Sequence, residues 1–155
     1  MKPRQTSNIQ HRTSNIEVKS ENYALDLFFT TVQPHGMSTL ANFVSLHPYF
    51  KAHPGKLDAF KATLPAFIKK TSSEEKNLFY EFTIHGDEIF CREAYADADG
   101  ILAHLDNVGQ LLAQVMTIAD LTRTELHGPA HELDKLRGPL AHLKPVWFIL
   151  EHNVD

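Results

Sequence analysis

What the chain has little of narrows the field first. Only one cysteine, Cys91, occurs in 155 residues, which excludes an internal disulfide and any zinc site built from several thiolates. Its apolar setting in the run IFCRE is that of a small buried hydrophobe, and a reducing cytoplasm fits such usage. No run of Lys and Arg is longer than a pair and the net charge is −4. The sequence therefore carries no electrostatic footprint for nucleic acid or an anionic membrane surface. No apolar run approaches the roughly 18 residues that a transmembrane helix needs. Residues 24 to 32, ALDLFFTTV, are interrupted by Asp26, follow a long polar stretch and precede QPHG, a poor cleavage site, so they do not read as a secretion signal. Neither a Gly-rich phosphate loop nor a Gly-x-Ser-x-Gly nucleophile motif occurs.

What remains is the composition of one ordinary soluble domain, with an apolar fraction of 43%. Residues 1 to 36 open on MKPRQTSNIQHRTSNIEVKSEN, polar and unpatterned, and are expected to be an extension with little fold of its own. The domain proper is expected over residues 37 to 155, and Met37 is a candidate initiator. Strand composition begins with Leu40 to Phe50, where Pro48 predicts the end of the strand or a place at a sheet edge. From Lys56 to Lys70, Leu57, Phe60, Leu64, Phe67 and Ile68 recur at helical spacing and predict an amphipathic helix, bent at Pro65. The polar run TSSEEKN follows as a loop, in which Asn77 can supply a left-handed residue.

The next segment, LFYEFTIHGDEIFCREAY, predicts a hairpin turning at Gly86-Asp87. That turn pairs His85 with Glu88, Phe82 with Cys91, Glu81 with Arg92 and Tyr80 with Glu93. Side chains alternate between faces. One face holds Leu78, Tyr80, Phe82, Ile84, Ile89, Cys91, Glu93 and Tyr95, and the other Phe79, Glu81, Thr83, Phe90 and Arg92. Glu93 thus stands on the apolar face. Asp97 is a good N-cap for a helix whose stripe is Ile101, Leu105, Val108, Leu112 and Val115, bordered by His104, with Gly109 as a point where it splits. LTRTELHG reads as a strand, PAHELDKLRG as a short helix opened by Pro129, and VWFIL as a last strand. The order β-α-β-β-α-β, then a short helix and a strand, is an α+β, ferredoxin-like arrangement.

Between Leu40 and Val115, the segments HPGKLDAFKATLPAFIKKTSSEEKNLFYEF and EIFCREAYADADGILAHLDN resemble the antibiotic biosynthesis monooxygenase superfamily, which includes quinol monooxygenases. The most specific part is REAYAD followed by AHL, similar to the family's Glu-x-aromatic strand end and helix histidine. The resemblance implies a ferredoxin-like subunit that forms a homodimer, sheet to sheet, as a dimeric α/β barrel. It also implies a pocket between each sheet and its own helices, and oxidation of a quinol or phenolic small molecule without a cofactor. The same superfamily contains haem-degrading enzymes, recognised by a strand Asn, a helix Trp and a haem-binding His. Asn42 stands at the first position, but His104 and Gln114 stand at the other two, which departs from that pattern.

If the helix packs over the hairpin, Tyr80, Glu93 and His104 converge, with Tyr95 near the rim and His47 at the pocket mouth. Glu93 and His104 are then the candidate catalytic pair, and Tyr80, Tyr95, His47 and Asn42 the candidate ligand contacts. A carboxylate beside an imidazole in an apolar pocket is equipped for proton abstraction, because desolvation and the partner tune the base toward neutral pH. A bond from Glu93 to His104 or Tyr80 that only tied helix to sheet, in a non-catalytic binding or stress-related module, would read identically in sequence. His127 and His131 are four apart with His142 beyond, but Gly128-Pro129 keeps them off a common helical face, so no metal site is expected. Phe79 and Phe90 leave the second hairpin face apolar enough to need a partner, which the homodimer supplies.

Overall fold

The computed structural model describes residues 42–152. The expected extension over residues 1–36 lies outside them. A five-stranded sheet carries the fold, in spatial order β2-β3-β1-β4-β5. The elements run β1 (Val44–Ala52), α1 (Leu57–Lys61), α2 (Leu64–Thr71), β2 (Asn77–His85), β3 (Glu88–Tyr95), α3 (Ala98–Val115), β4 (Ala119–Gly128), α4 (Ala130–Arg137), a 3-10 turn (Ala141–Leu143) and β5 (Val146–Ile149). The first four strands pair antiparallel in the ferredoxin-like order, and β5 adds to β4 in parallel. This is the α+β, ferredoxin-like class expected.

The hairpin has the expected register, with His85 opposite Glu88, Glu81 opposite Arg92 and Tyr80 opposite Glu93. Gly86 takes φ +58, the conformation for which glycine suits this turn. Arg92 donates to Glu81 across the strands at 2.7 Å. Asp97 caps α3 by accepting from the Gly100 amide at 2.9 Å. Below it, Ile101, Val108 and Val115 are fully buried against the sheet, each worth about 1.5–3 kcal/mol of apolar burial.

Several local expectations are corrected. β1 is central, not an edge, and runs through Pro48. Its pairs with β3 at Leu46–Glu93 and Tyr49–Phe90 flank the proline, whose missing N–H leaves a gap between them, and a register shift follows on the β4 side between Tyr49 and Phe50. The helix over Lys56 to Lys70 is two helices, with Pro65 in the first turn of α2, where a missing N–H costs nothing. α3 does not split at Gly109; the helix's buried stripe holds it through. Asn77 is not left-handed. It starts β2 opposite Tyr95, and its side chain donates to the carbonyl of Phe79. A bulge between Asn77 and Phe79 leaves Leu78 exposed.

Two apolar clusters fill the space between sheet and helices. Val44, Leu46, Tyr95, Ile101, Leu126 and Leu133 form one. Phe50, Phe60, Phe67, Ile89, Val108 and Val115 form the other. The candidate site lies among them. Among the described residues, no helix is long and apolar enough to cross a membrane.

Candidate active site

Three elements bring acid and base together. The alternation of β3 points Glu93 at the helices, and the stripe of α3 turns His104 down onto the sheet. The loop before β2 lays Glu74 against the far side of the imidazole. Glu93 and His104 are each 2% exposed. His104 Nε2 lies 3.2 Å from Glu93 Oε2, and its Nδ1 lies 3.0 Å from Glu74 Oε2. The Tyr95 hydroxyl donates to Glu93 Oε2 at 2.5 Å. Asn107 donates to Glu74 Oε1 at 2.6 Å and fixes that carboxylate. The Tyr80 and Tyr95 rings flank the imidazole, each with its centroid 5.2 Å away.

The electrostatics follow from burial. Desolvation raises the Glu93 carboxyl to about 8, against the pull of the Tyr95 hydrogen bond and with a further push from Glu74. Desolvation lowers the His104 imidazole, and the Glu74 carboxylate offsets part of that. Both shifts favour neutral forms. Near neutral pH a proton therefore resides on Glu93, while Nδ1–H of His104 donates to Glu74 and leaves Nε2 unprotonated, 3.2 Å from Glu93 Oε2. Burial also raises the Tyr80, Tyr95 and Cys91 groups above their ordinary ranges, so they serve as neutral donors.

The array opens on a cavity of about 50 Å³ whose wall includes Phe50, Phe60, Phe67, Phe82, Leu105 and Leu112, with Tyr80, Cys91, Glu93, His104 and Thr124 as its polar members. The sequence-predicted trio Tyr80, Glu93 and His104 does meet here. Tyr95 meets it too, but from the core and not the rim, because it is fully buried beneath Glu93. His47 does not reach the pocket. An odd step from Leu46 puts it on the opposite sheet face, stacked on Phe90 at 5.8 Å. Asn42 is exposed and bonds His131 at 2.9 Å, outside the site. Glu74 was missed by sequence reading, since a loop carries no periodicity; its polar run TSSEEKN gave only a turn signal. Thr124 and Cys91 were missed as cavity members. Among the described residues, no group of His, Cys, Asp and Glu has a metal-holding arrangement.

Comparison with solved structures places the fold. MupZ from Pseudomonas fluorescens is 45% identical with a TM-score of 0.71, over 74% of this chain and 94% of MupZ. The chain belongs to the MupZ family. Beyond that family, Rv0793 from Mycobacterium tuberculosis shares the fold at 24% identity and a TM-score of 0.51, over 57% of this chain and 95% of Rv0793. A protein from Chloroflexus aurantiacus, proposed to be an antibiotic biosynthesis monooxygenase, aligns at 21% identity and a TM-score of 0.47, over 57% of this chain and 94% of its own. The likeness to Rv0793 concerns the fold alone. No family model matches the chain, and no curated protein does.

Proposed function

We propose that this chain is an acid–base enzyme that moves a proton to or from a small, mostly apolar molecule held against Glu93. One observation carries the reading. A carboxyl raised to about 8 is buried against a neutral imidazole at the wall of an aromatic cavity, and a group poised near the working pH is what general acid–base catalysis requires. As a substrate hydroxyl gives its proton to Glu93, the carboxyl's own proton passes to Nε2 of His104. The Glu74 carboxylate then stabilises the imidazolium, so no isolated charge is created in the apolar site.

Within that chemistry, the resemblance of REAYAD and AHL to quinol monooxygenases supports oxidation of a phenol or quinol by dioxygen. Deprotonation makes the ring electron-rich. A ring carbon ortho or para to the phenolate and bearing hydrogen adds dioxygen, and His104 returns its proton to the peroxide. Loss of water across the carbon–oxygen bond then leaves a quinone, with one oxygen atom in the product and the other in water. The protein contributes orientation and a dry site. The expected result is oxygen uptake with phenols or hydroquinones above their autoxidation. It should fall about a hundredfold in His104→Ala and at least as far in Glu93→Gln, whose amide cannot relay the proton. Uptake at background across a broad phenol panel would sink the oxygenase.

A non-catalytic binding module on the same fold has one observation in its favour. Glu93 and His104 lie within bonding distance of each other, and the cavity of about 50 Å³ is smaller than the roughly 150 Å³ in which benzene has been seen to bind. A ring therefore enters only as wall side chains move. In the module reading the same substitutions lower the melting temperature and no variant turns over.

We also propose a homodimer through the sheet face remote from the helices. Phe79 and Phe90 sit there, and an aromatic ladder crosses it. Tyr49 stacks on Phe90 at 4.6 Å and His127 on Phe148 at 4.4 Å, with His47 between them. Phe148 is 41% exposed. A second copy would cover this apolar surface.

A further inference from the structure

Thr124 on β4 is 4% exposed, and its hydroxyl reaches no hydrogen-bond partner among the described residues. It lines the cavity, where its strand neighbour is Pro48 and Leu121 and Leu143 flank it. None of these offers a side-chain donor or acceptor. A valine has the same shape and would fill the wall without the cost of a buried, unpaired hydroxyl. Thr71, the other buried hydroxyl without a partner among the described residues, does not line the cavity.

Leu121, Thr124 and Leu143 also line a second hollow of about 320 Å³ on the outside, between β4 and the turn that leads to β5, together with Arg123, Lys144 and Val146. These three shared residues are therefore the partition between the cavity and solvent. Glu93 lies on the far side of β1 from β4. Two strand spacings and one two-residue step put its Cα about 12 Å from that of Thr124.

We infer that molecules enter between β4 and Leu143, and that the Thr124 hydroxyl holds a ligand carbonyl or hydroxyl at this mouth while the reacting group sits at Glu93 and His104. The substrate class is then an elongated molecule. It has an acidic hydroxyl at one end, a short apolar spacer, and a hydrogen-bonding oxygen some way along, with the rest lying in the outer hollow. This rests on the acid–base reading for the inner end only.

Two probes separate the claims: para-butylphenol, and its analogue with a ketone in the side chain. By calorimetry, the wild-type protein is expected to bind the ketone about tenfold more tightly, the worth of one net hydrogen bond. Thr124→Val should erase that preference and Thr124→Ser keep it. Thr124→Val should melt at or above the wild-type temperature, since it removes an unpaired group. The inference is overturned if the preference survives Thr124→Val, if neither probe binds, or if Thr124→Val melts markedly lower, which would show a structural partner. A crystal structure with only an ordered water on Thr124 in the presence of the ketone would overturn it as well. Ketone preference without oxygen uptake would remove the oxygenase and leave the subsite; uptake without preference would do the reverse.

Discussion

Glu74→Gln isolates the charge that supports His104. The substitution keeps the length of the side chain and an oxygen that can still accept from Nδ1–H at about the 3.0 Å seen, so above the ordinary histidine range the two proteins should differ little. The imidazole is lowered by burial and partly restored by Glu74. A group lowered in this way contributes stability that is complete above its unfolded value of 6.5 and is lost as pH falls through the folded value. Without the carboxylate the folded value drops further, so loss continues to lower pH in the variant than in the wild type. The gap should be small at pH 8 and open toward pH 5, reaching about 1.5–3 kcal/mol, the worth of a hydrogen bond to a charged group. Urea denaturation at several pH values, analysed with one slope for both proteins, reads it. A deficit of equal size at pH 5 and pH 8 would refute the reasoning. It would show that Glu74 acts by packing or through Asn107 and not by charge.

Phe90→Asp places a charge in the proposed dimer face and is expected to give monomers, or unfolding, by sedimentation at micromolar concentration; a wild type that is itself monomeric would remove the dimer. Asp97→Ala removes the cap of α3 and should cost about 1 kcal/mol, while Asp97→Asn, which keeps the acceptor for the Gly100 amide and loses the ion pair to Lys76, should cost less. A chain that starts at Met37 is expected to keep a cooperative melt, and loss of that transition would show that the preceding residues pack on the domain.

Regular alternation made much of this legible. Period two set the hairpin faces and put Glu93 inward, and the spacing of Ile101, Val108 and Val115 fixed which side of α3 meets the sheet, so the pairing of Glu93 with His104 was readable from two local patterns and the fold that joins them. What could not be read depended on long-range choices. Pro48 argues locally for an edge, yet β1 is central because β3 and β4 both bury against it, and the ladder yields around the missing N–H. His47 was one residue out of phase with the pocket: neighbours on a strand face opposite ways, so Leu46 is in the core and His47 is not. Tyr95 was placed at a rim, whereas the end of β3 lies under α3 and α4 and buries it. Glu74 comes from a loop whose position is set by both ends of the fold, and no spacing in the sequence pointed to it.

The protonation of Glu93 is the centre of the account, and it can be measured directly. Carbon-13 NMR of the glutamate side-chain carboxyls, with Glu93→Gln to assign the signal, follows that one group through a pH titration. The account predicts a carboxyl that stays protonated at neutral pH and titrates near 8. A Glu93 signal that titrates near 4.5, the ordinary value, would contradict it, because the residue would then be an ionised partner of His104 and no proton would be held at the cavity wall.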